Sequence, residues 1–443
     1  MPLLNSMGIF RNMTAGVKVT HAVGDQWIAE FSTFDDRKNL LGVGTTGDVY
    51  AIDYASYGIF KITAAGTKVY SFYTSNRFSS GGRFVCMDSS DNVYVGGNDS
   101  TGWSVIIKYN SSGTILWQKY YKNGTSNEIL SMVIAPTGDL FAITGNQSGN
   151  NPSFGSGPYI VLRIDNTTGA VINQRKVLKY ATSAPSDLTI DNINNQLIIT
   201  GTDYSGTNSS IINGYYNFTN TDTASSMTIQ SSSTDSYNTF FGGQLVNNCV
   251  TDGSFIYMMG WRTISGITTS VVMKIDKVTG SVDYSNAIII SGNTTTITGI
   301  TMDNSGYIYV NGYWAGPSGY TYVAKIEAST GNVVWCKTIG SSITTEGIGN
   351  IVWNNGFLYF VATYYTYPNN HVAIIKINSD GSLPDGTYGT YWSFTDVTPS
   401  LTAYIPETTG TTTGSNSTTS IASSTSSFTK TTDSTTISTT YIP

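Results

Sequence analysis

The chain has 443 residues, among them 46 Gly and 30 Tyr, with only 11% charged residues and a formal net charge of −6. No basic stripe marks it as a nucleic-acid binder, and no apolar run reaches the roughly 18 residues of a membrane-spanning helix. Two histidines and three cysteines leave little material for a His-based metal site or a disulfide framework.

Residues 1–23 read as a polar, weakly patterned arm. MPLLNSMGIFRNMT lacks a basic region followed by a long apolar core, so no secretory signal is expected and synthesis in a reducing cytoplasm follows. Next comes Trp27-Ile28-Ala29-Glu30-Phe31, which has the look of a fourth strand, such as Val334-Trp335-Cys336-Lys337, placed ahead of the first full repeat. It is expected to complete the last sheet of a closed ring, because that leaves no unpaired edge at the seam. Thr390-Tyr391-Trp392-Ser393-Phe394 is the competing closing strand.

From there one phrase returns seven times, anchored at Val49-Tyr50, Val93-Tyr94, Leu140-Phe141, Leu197-Ile198, Ile256-Tyr257, Ile308-Tyr309 and Leu358-Tyr359. Each copy holds four short runs rich in β-branched and aromatic residues. The first tight turn carries residues that tolerate positive φ: Gly47, Asp91-Asn92, Gly138, Asn194-Asn195, Gly253, Gly306 and Asn355-Gly356. The second repeats the device at Gly66, Gly113, Gly169, Gly280, Gly331 and Gly381, whereas copy four reads Asn217-Phe218-Thr219-Asn220. Successive anchors lie roughly 45–60 residues apart, the period of four-stranded propeller blades. The expected fold is all-β: a seven-bladed β-propeller of four-stranded antiparallel blades over residues 24–394.

Residues 395–443 change character and become mostly Ser and Thr. They are expected to form an extended assembly tail, held by neighbouring subunits or another protein through Leu401, Tyr404, Ile405, Phe428 and Tyr441.

The repeats carry a family resemblance. VAKIEASTGNVVW, from Val323 to Trp335, resembles the repeat of quinoprotein-like propellers and of seven-bladed SBBP-repeat proteins. That motif specifies a blade, not a chemistry. The chain end, Asp380-Gly381-Ser382, then Gly386-Thr387-Tyr388-Gly389, then the Ser/Thr run, is similar to the ends of propeller proteins in tailed bacteriophages, especially marine and cyanobacterial ones. This resemblance implies a virion structural component, in a tail fibre or on the capsid surface, assembled with other virion proteins and its own copies.

Candidate chemistry is sparse. A quinoprotein enzyme would need a calcium site and a catalytic carboxylate, commonly with an adjacent-cysteine disulfide; no Cys-Cys pair exists and no ligand can be matched. Asp88, Asp91, Asp139, Asp252 and Asp303 read as turn formers. Cys86, Cys249 and Cys336 read as buried free thiols. His21 and His371 lie at opposite ends of the chain, and no Gly-x-Ser-x-Gly or His-Glu-x-x-His motif is present. The expectation is therefore no catalytic residue, no metal and no cofactor.

The segments between the second and third strands read as long loops on the disc face opposite the tight turns. They carry Trp103, Tyr204, Trp261, Tyr313, Trp314, Tyr320, Tyr364, Tyr365 and Tyr367. Aromatics on such a face suit a host surface glycan or protein, since flat rings stack while polar tips hydrogen-bond. The functional expectation is a non-catalytic attachment component of a tailed phage. A decoration or scaffold protein without receptor binding is the alternative, and a carbohydrate-active depolymerase a second one. Trp117 and Trp335 are read as packing between blades.

Overall fold

The computed structural model describes residues 18–23, 25–31, 40–53, 58–73, 82–99, 103–122, 128–145, 159–177, 184–205, 208–217, 226–232, 249–264, 267–277, 282–290, 292–314, 320–340, 345–346, 349–366, 369–388, 392–403, 419–422 and 429–432. Among these residues every regular element is a strand and every pairing is antiparallel, as the short β-branched runs require. The strands group into four-stranded meanders spanning 40–73, 82–122, 128–177, 184–232, 249–290 and 293–339. A further one is built from Ile351–Asn354, Phe357–Thr366, Asn369–Asn378 and Gln26–Phe31.

Turn chemistry sets the first hairpin of each meander. Asp91, Asn195 and Asn355 adopt φ of 58°, 52° and 49°, at the positions where other copies place Gly47, Gly138, Gly253 or Gly306. Asn and Asp tolerate this left-handed region better than other non-glycine residues.

A second local device recurs in the fourth strand. The pairing register slips by one residue at Val69, Leu116, Ile172, Asp283 and Val334, leaving each unpaired opposite the third strand. Such a bulge breaks the two-residue alternation, so the residues flanking it fall on opposite faces. In the second meander Ile115 packs towards the first meander and Trp117 towards the third, while Leu116 is exposed.

The core lies between meanders rather than within any one of them. Seven buried clusters are present among the described residues, each drawn from two successive meanders, and the last joins Trp27 and Tyr359 to Leu41 and Phe60. A lone four-stranded sheet cannot cover both faces, and a cyclic arrangement covers every face with a neighbour. The fourth-strand aromatic completes the contact. Trp117 packs edge-on to Tyr94 of its own meander, at 5.9 Å between ring centroids, and lies against Gly169 of the next. Trp335 and Tyr284 repeat this against Gly381 and Gly331. A Cβ at Gly169 would stand 2.9 Å from the Trp117 ring, so the glycine serves the close approach as well as its φ of 68°. Trp117 and Trp335 are thus packing residues, as expected.

The N-terminal strand closes the ring. Trp27 to Phe31 pair with Lys376 to Val372, and the Gln26 side-chain carbonyl accepts from the Asn378 amide at 3.0 Å. The competing strand, Trp392–Asp396, instead lies on Lys337 to Ile339 at the outer edge of the sixth meander.

Both ends of the chain depart from the expected domain limits. Lys18–Val23, placed in the arm, is a strand paired with Gln26–Phe31. The expected boundary after residue 394 falls inside Trp392–Asp396, a strand whose Trp392 and Phe394 are buried between the sixth and seventh meanders. The next strand, Ser400–Ala403, pairs with Asn286 to Ile289 of the fifth meander, and Leu401 packs on the core between fifth and sixth. Leu401 is therefore anchored on its own chain. Thr419–Ala422 and Thr429–Thr432 likewise pair with the outer strands of the fourth and second meanders. An outer strand leaves a row of backbone donors and acceptors open, and a Ser/Thr-rich segment can satisfy them without a core of its own. Tyr404, Ile405, Phe428 and Tyr441 lie outside the described residues.

Candidate functional site

The carboxylates singled out in the sequence are used by the turns. Asp88 accepts from the amides of Ser90 and Asn92 at 3.0 Å each, from the Asn92 side chain, and from the Tyr94 hydroxyl at 2.9 Å. Lys108 stands 3.4 Å from the same carboxylate. Burial alone would raise the Asp88 carboxyl, but these hydrogen bonds outweigh it and hold it below its ordinary value. The arrangement recurs: Tyr257 donates to Asp252 at 2.8 Å, Tyr309 to Asp303 at 2.9 Å, Arg163 meets Asp139 at 2.6 Å, and Lys61 meets Asp48 at 3.0 Å. Asp91 reaches across a seam and accepts the Thr45 amide at 2.7 Å.

These groups tie sheets together. Lys108 Nζ and Trp117 Nε1 both donate to the Asn166 carbonyl of the next meander, each at 2.9 Å. Asn350 makes a reciprocal pair with the Leu41 backbone, accepting at 2.9 Å and donating at 2.8 Å. Asp191 accepts from Lys277 of the next meander and from the Ile193 and Asn194 amides. Burial would raise Asp191 as well, yet Lys277 and Asn194 bring it below the usual carboxylate value.

One buried polar cluster was not evident in the sequence. Asp187 accepts from Ser131 Oγ at 2.7 Å, Ser131 in turn accepts the Leu188 amide at 3.2 Å, and Cys249 Sγ lies 3.9 Å from the carboxylate. The three come from three successive meanders, so no local motif signals them. Burial, then the Asp187 charge, pushes the Cys249 thiol well up. Burial likewise raises the Cys86 thiol, and raises Cys336 to about 12. Thiolate character is what makes cysteine a nucleophile, so none of the three thiols has that character at neutral pH.

The two histidines share the seventh sheet without meeting. His21 pairs with Ile28, which pairs with Ile375, while His371 lies four residues along that last strand. Strand spacing and rise put them about 17 Å apart. Among the described residues no group of three or more His, Cys, Asp or Glu could hold a metal ion.

The aromatic positions are distributed differently from the expected loops. Gln196–Ser205 with Asn208–Asn217, Phe255–Ile264 with Ile267–Asp276, and Phe357–Thr366 with Asn369–Asn378 are long hairpins paired up to their last residues. Tyr204, Trp261, Tyr364 and Tyr365 therefore stand in paired strands opposite Ser209, Ser270, His371 and Asn370. Trp314 and Tyr320 face each other across a hairpin and stack, with centroids 5.3 Å apart. Trp314 is only 8% exposed and belongs to the core between the fifth and sixth meanders, which corrects its reading as an exposed contact. Within the same meander, Gly312 allows a close approach of its two inner strands, since a Cβ there would stand 1.8 Å from the Thr296 carbonyl oxygen. Tyr313, Tyr320 and Trp103 are half-buried, Trp103 edge-on to Tyr120 at 6.0 Å. Tyr367 lies outside the described residues. These hairpin ends bring most of the aromatic positions to one end of the sheets, opposite the tight turns.

A scan against protein-family models found no match, and neither did a sequence comparison with curated proteins. Solved structures of propeller-like form are similar in fold. A quinohemoprotein alcohol dehydrogenase from Pseudomonas putida HK5 is 11% identical over 83% of this chain and 78% of its own, with a TM-score of 0.48. Virginiamycin B lyase from Staphylococcus aureus is 12% identical over 79% of this chain and 99% of its own, with a TM-score of 0.48. A puromycin hydrolase is 11% identical over 87% of this chain and 55% of its own, again at 0.48. These neighbours are enzymes, and likeness at this level transfers none of their chemistry.

Proposed function

We infer that the chain is a seven-bladed β-propeller acting as a non-catalytic structural and attachment component of a tailed-phage virion. The observation that carries the non-catalytic part is the use of the recurrent carboxylates. Asp48, Asp88, Asp139, Asp252 and Asp303 are engaged by strand-borne Tyr, Lys or Arg of their own meanders. Cys249 and Cys336 are buried, Cys86 is half-buried with a raised thiol, and the histidines stand apart. The virion part is supported by the resemblance of the chain end to phage propeller proteins. In that role the hairpin end with Tyr204, Trp261, Tyr313, Tyr364 and Tyr365 meets a host surface glycan or protein, and many copies on one particle bind by avidity.

The burial of Trp314 favours a second reading, a decoration protein whose propeller is a rigid module without a receptor. Two experiments test the set. Mass spectrometry of purified particles should find the chain at fixed stoichiometry; its absence overturns the virion role. Host-surface glycan incubated with the protein should stay intact. Retention on the glycan supports attachment, no retention supports decoration, and shortened products abolished by a single Asp or Glu substitution would establish a depolymerase.

A further inference from the structure

Beyond the seventh meander the chain turns back along the rim. Trp392–Asp396 adds to the outer strand of the sixth meander, Ser400–Ala403 to that of the fifth, Thr419–Ala422 to the fourth and Thr429–Thr432 to the second. The segment thus runs against the order of the meanders, and every edge it joins precedes it in the chain. Its seats share a register. On the sixth, fifth and second meanders the added strand begins three residues after the bulge: at Lys337 after Val334, at Asn286 after Asp283, and at Lys119 after Leu116. A bulge interrupts the row of edge donors and acceptors, so it sets where the added ladder stops. The fourth meander fits this account. No slip interrupts the described pairing of its third and fourth strands, and there the added strand reaches nearer the tight turns, to Ser226.

A second observation is a gradient along the same segment. Trp392 and Phe394 are 0% and 1% exposed, in the core between the sixth and seventh meanders. Val397 and Leu401 pack on the core between the fifth and sixth. Thr419-Ser420-Ile421-Ala422 offers one large aliphatic residue, and Thr429-Lys430-Thr431-Thr432 offers none. The first seat also holds charge. Buried Lys337 meets Asp396 at 2.5 Å and Asp385 at 3.4 Å, and Asp385 accepts the Asp396 amide at 2.9 Å.

We propose that residues 392–432 are a fastening strap, which zips from Trp392 towards Thr432 onto the ring already formed and slows its opening. Isolated strands with so little apolar surface do not build a sheet of their own. Each seat must therefore exist before its strand can settle on it. Contacts made after the folding transition state slow unfolding and leave the folding rate alone. The seat with two buried aromatics and the Lys337 pairs holds most firmly, and the seat whose strand has no large apolar residue frays first. The strap concerns the rim and not the hairpin end, so its failure would leave the proposed virion role standing.

The test compares unfolding and refolding rates in urea, followed by tryptophan fluorescence, for the full chain and for chains ending after residues 424, 410 and 396. Unfolding should quicken at each step, by about tenfold or more at the last, the factor that ~1.4 kcal/mol of lost contact gives. Refolding should stay within about twofold of the full chain. Leu401→Pro in the full chain breaks the ladder at one seat and should also quicken unfolding, so the outcome does not hang on the shortened chains folding. Native amide exchange should rise in the order Val333–Ile339, Val282–Ile290, Ser226–Ser232, Ile115–Lys122. Unfolding that ignores both truncation and Leu401→Pro overturns the proposal, as does refolding slowed in step with faster unfolding. Exchange that is equal on all four strands, or in the reverse order, overturns the direction of zipping. Rates that change with protein concentration would mean strands exchanged between copies, and overturn the strap.

Discussion

Trp27 Nε1 donates to the Ala64 carbonyl at 2.9 Å, the contact that Trp117 makes with Asn166 at the same distance. Lys376 joins it at 3.0 Å, as Lys108 joins Trp117 at 2.9 Å. The seam that joins the two ends of the ring is thus built from the same parts as an ordinary internal seam. Trp27 is 3% exposed and edge-on to Tyr359. Trp27→Ala should cost about 3–5 kcal/mol in urea unfolding, and Trp27→Phe about 1 kcal/mol beyond its packing change, for the lost hydrogen bond. A Trp27→Ala chain as stable as wild type would refute the role of this strand in closure.

Asp191 makes the seam between the fourth and fifth meanders pH-dependent. Its folded carboxyl titrates below the ordinary value, so its stabilising contribution is complete above that value, about 3.9. The contribution fades as pH falls through the depressed folded value. Asp191→Asn should therefore destabilise the protein near neutrality by about 3 kcal/mol, because Lys277 loses its carboxylate. The difference from wild type should shrink in acid. Thermal melts at several pH values check this, and a gap that stays constant from neutrality down to acid would show that the pair does not matter.

The thiols should be silent in the native protein. Cys249 and Cys336 are buried with raised thiols. An aromatic disulfide reagent at neutral pH should react with neither until denaturant is added, when all of the chain's cysteines should titrate. Fast native reaction at either site would contradict the burial.

The strap beyond the seventh meander should protect the edges it covers. The Val397 amide donates to the Cys336 carbonyl at 3.0 Å, and buried Lys337 reaches Asp396 at 2.5 Å. A chain ending after residue 394 should show faster amide exchange along Val333–Ile339 than the full chain. Unchanged protection there would mean that the strand pairing contributes nothing in solution.

Trp314→Ala separates packing from recognition. Loss of about 3 kcal/mol of stability is expected for so buried an indole. A variant of wild-type stability would return Trp314 to the exposed aromatics.

The repeat was legible because its signals are local. Asp91, Asn195 and Asn355 sit at positive φ where the Asn/Asp/Gly pattern required it. Trp27 could be assigned to the last sheet because its phrase matches Val334-Trp335-Cys336-Lys337. What could not be read depends on register and on distant partners. Alternation does not tell where a hairpin arm ends, so Tyr204 and Trp261 read as loop residues although both are in ladders. Ser131, Asp187 and Cys249 meet only because three meanders are stacked. The strand character of Ser400–Ala403 is supplied by the edge it lies on, and its composition alone carries no period.

Closure by the N-terminal strand has a consequence during synthesis. Gln26 and its partner Asn378 are 352 residues apart. At a ribosomal rate of roughly 5–20 residues per second, the closing strand emerges about 20–70 s before the strand it will join. Over that interval the nascent first meander offers water the face that Trp27 and Tyr359 will later cover, and a ribosome-associated holdase would find its target there.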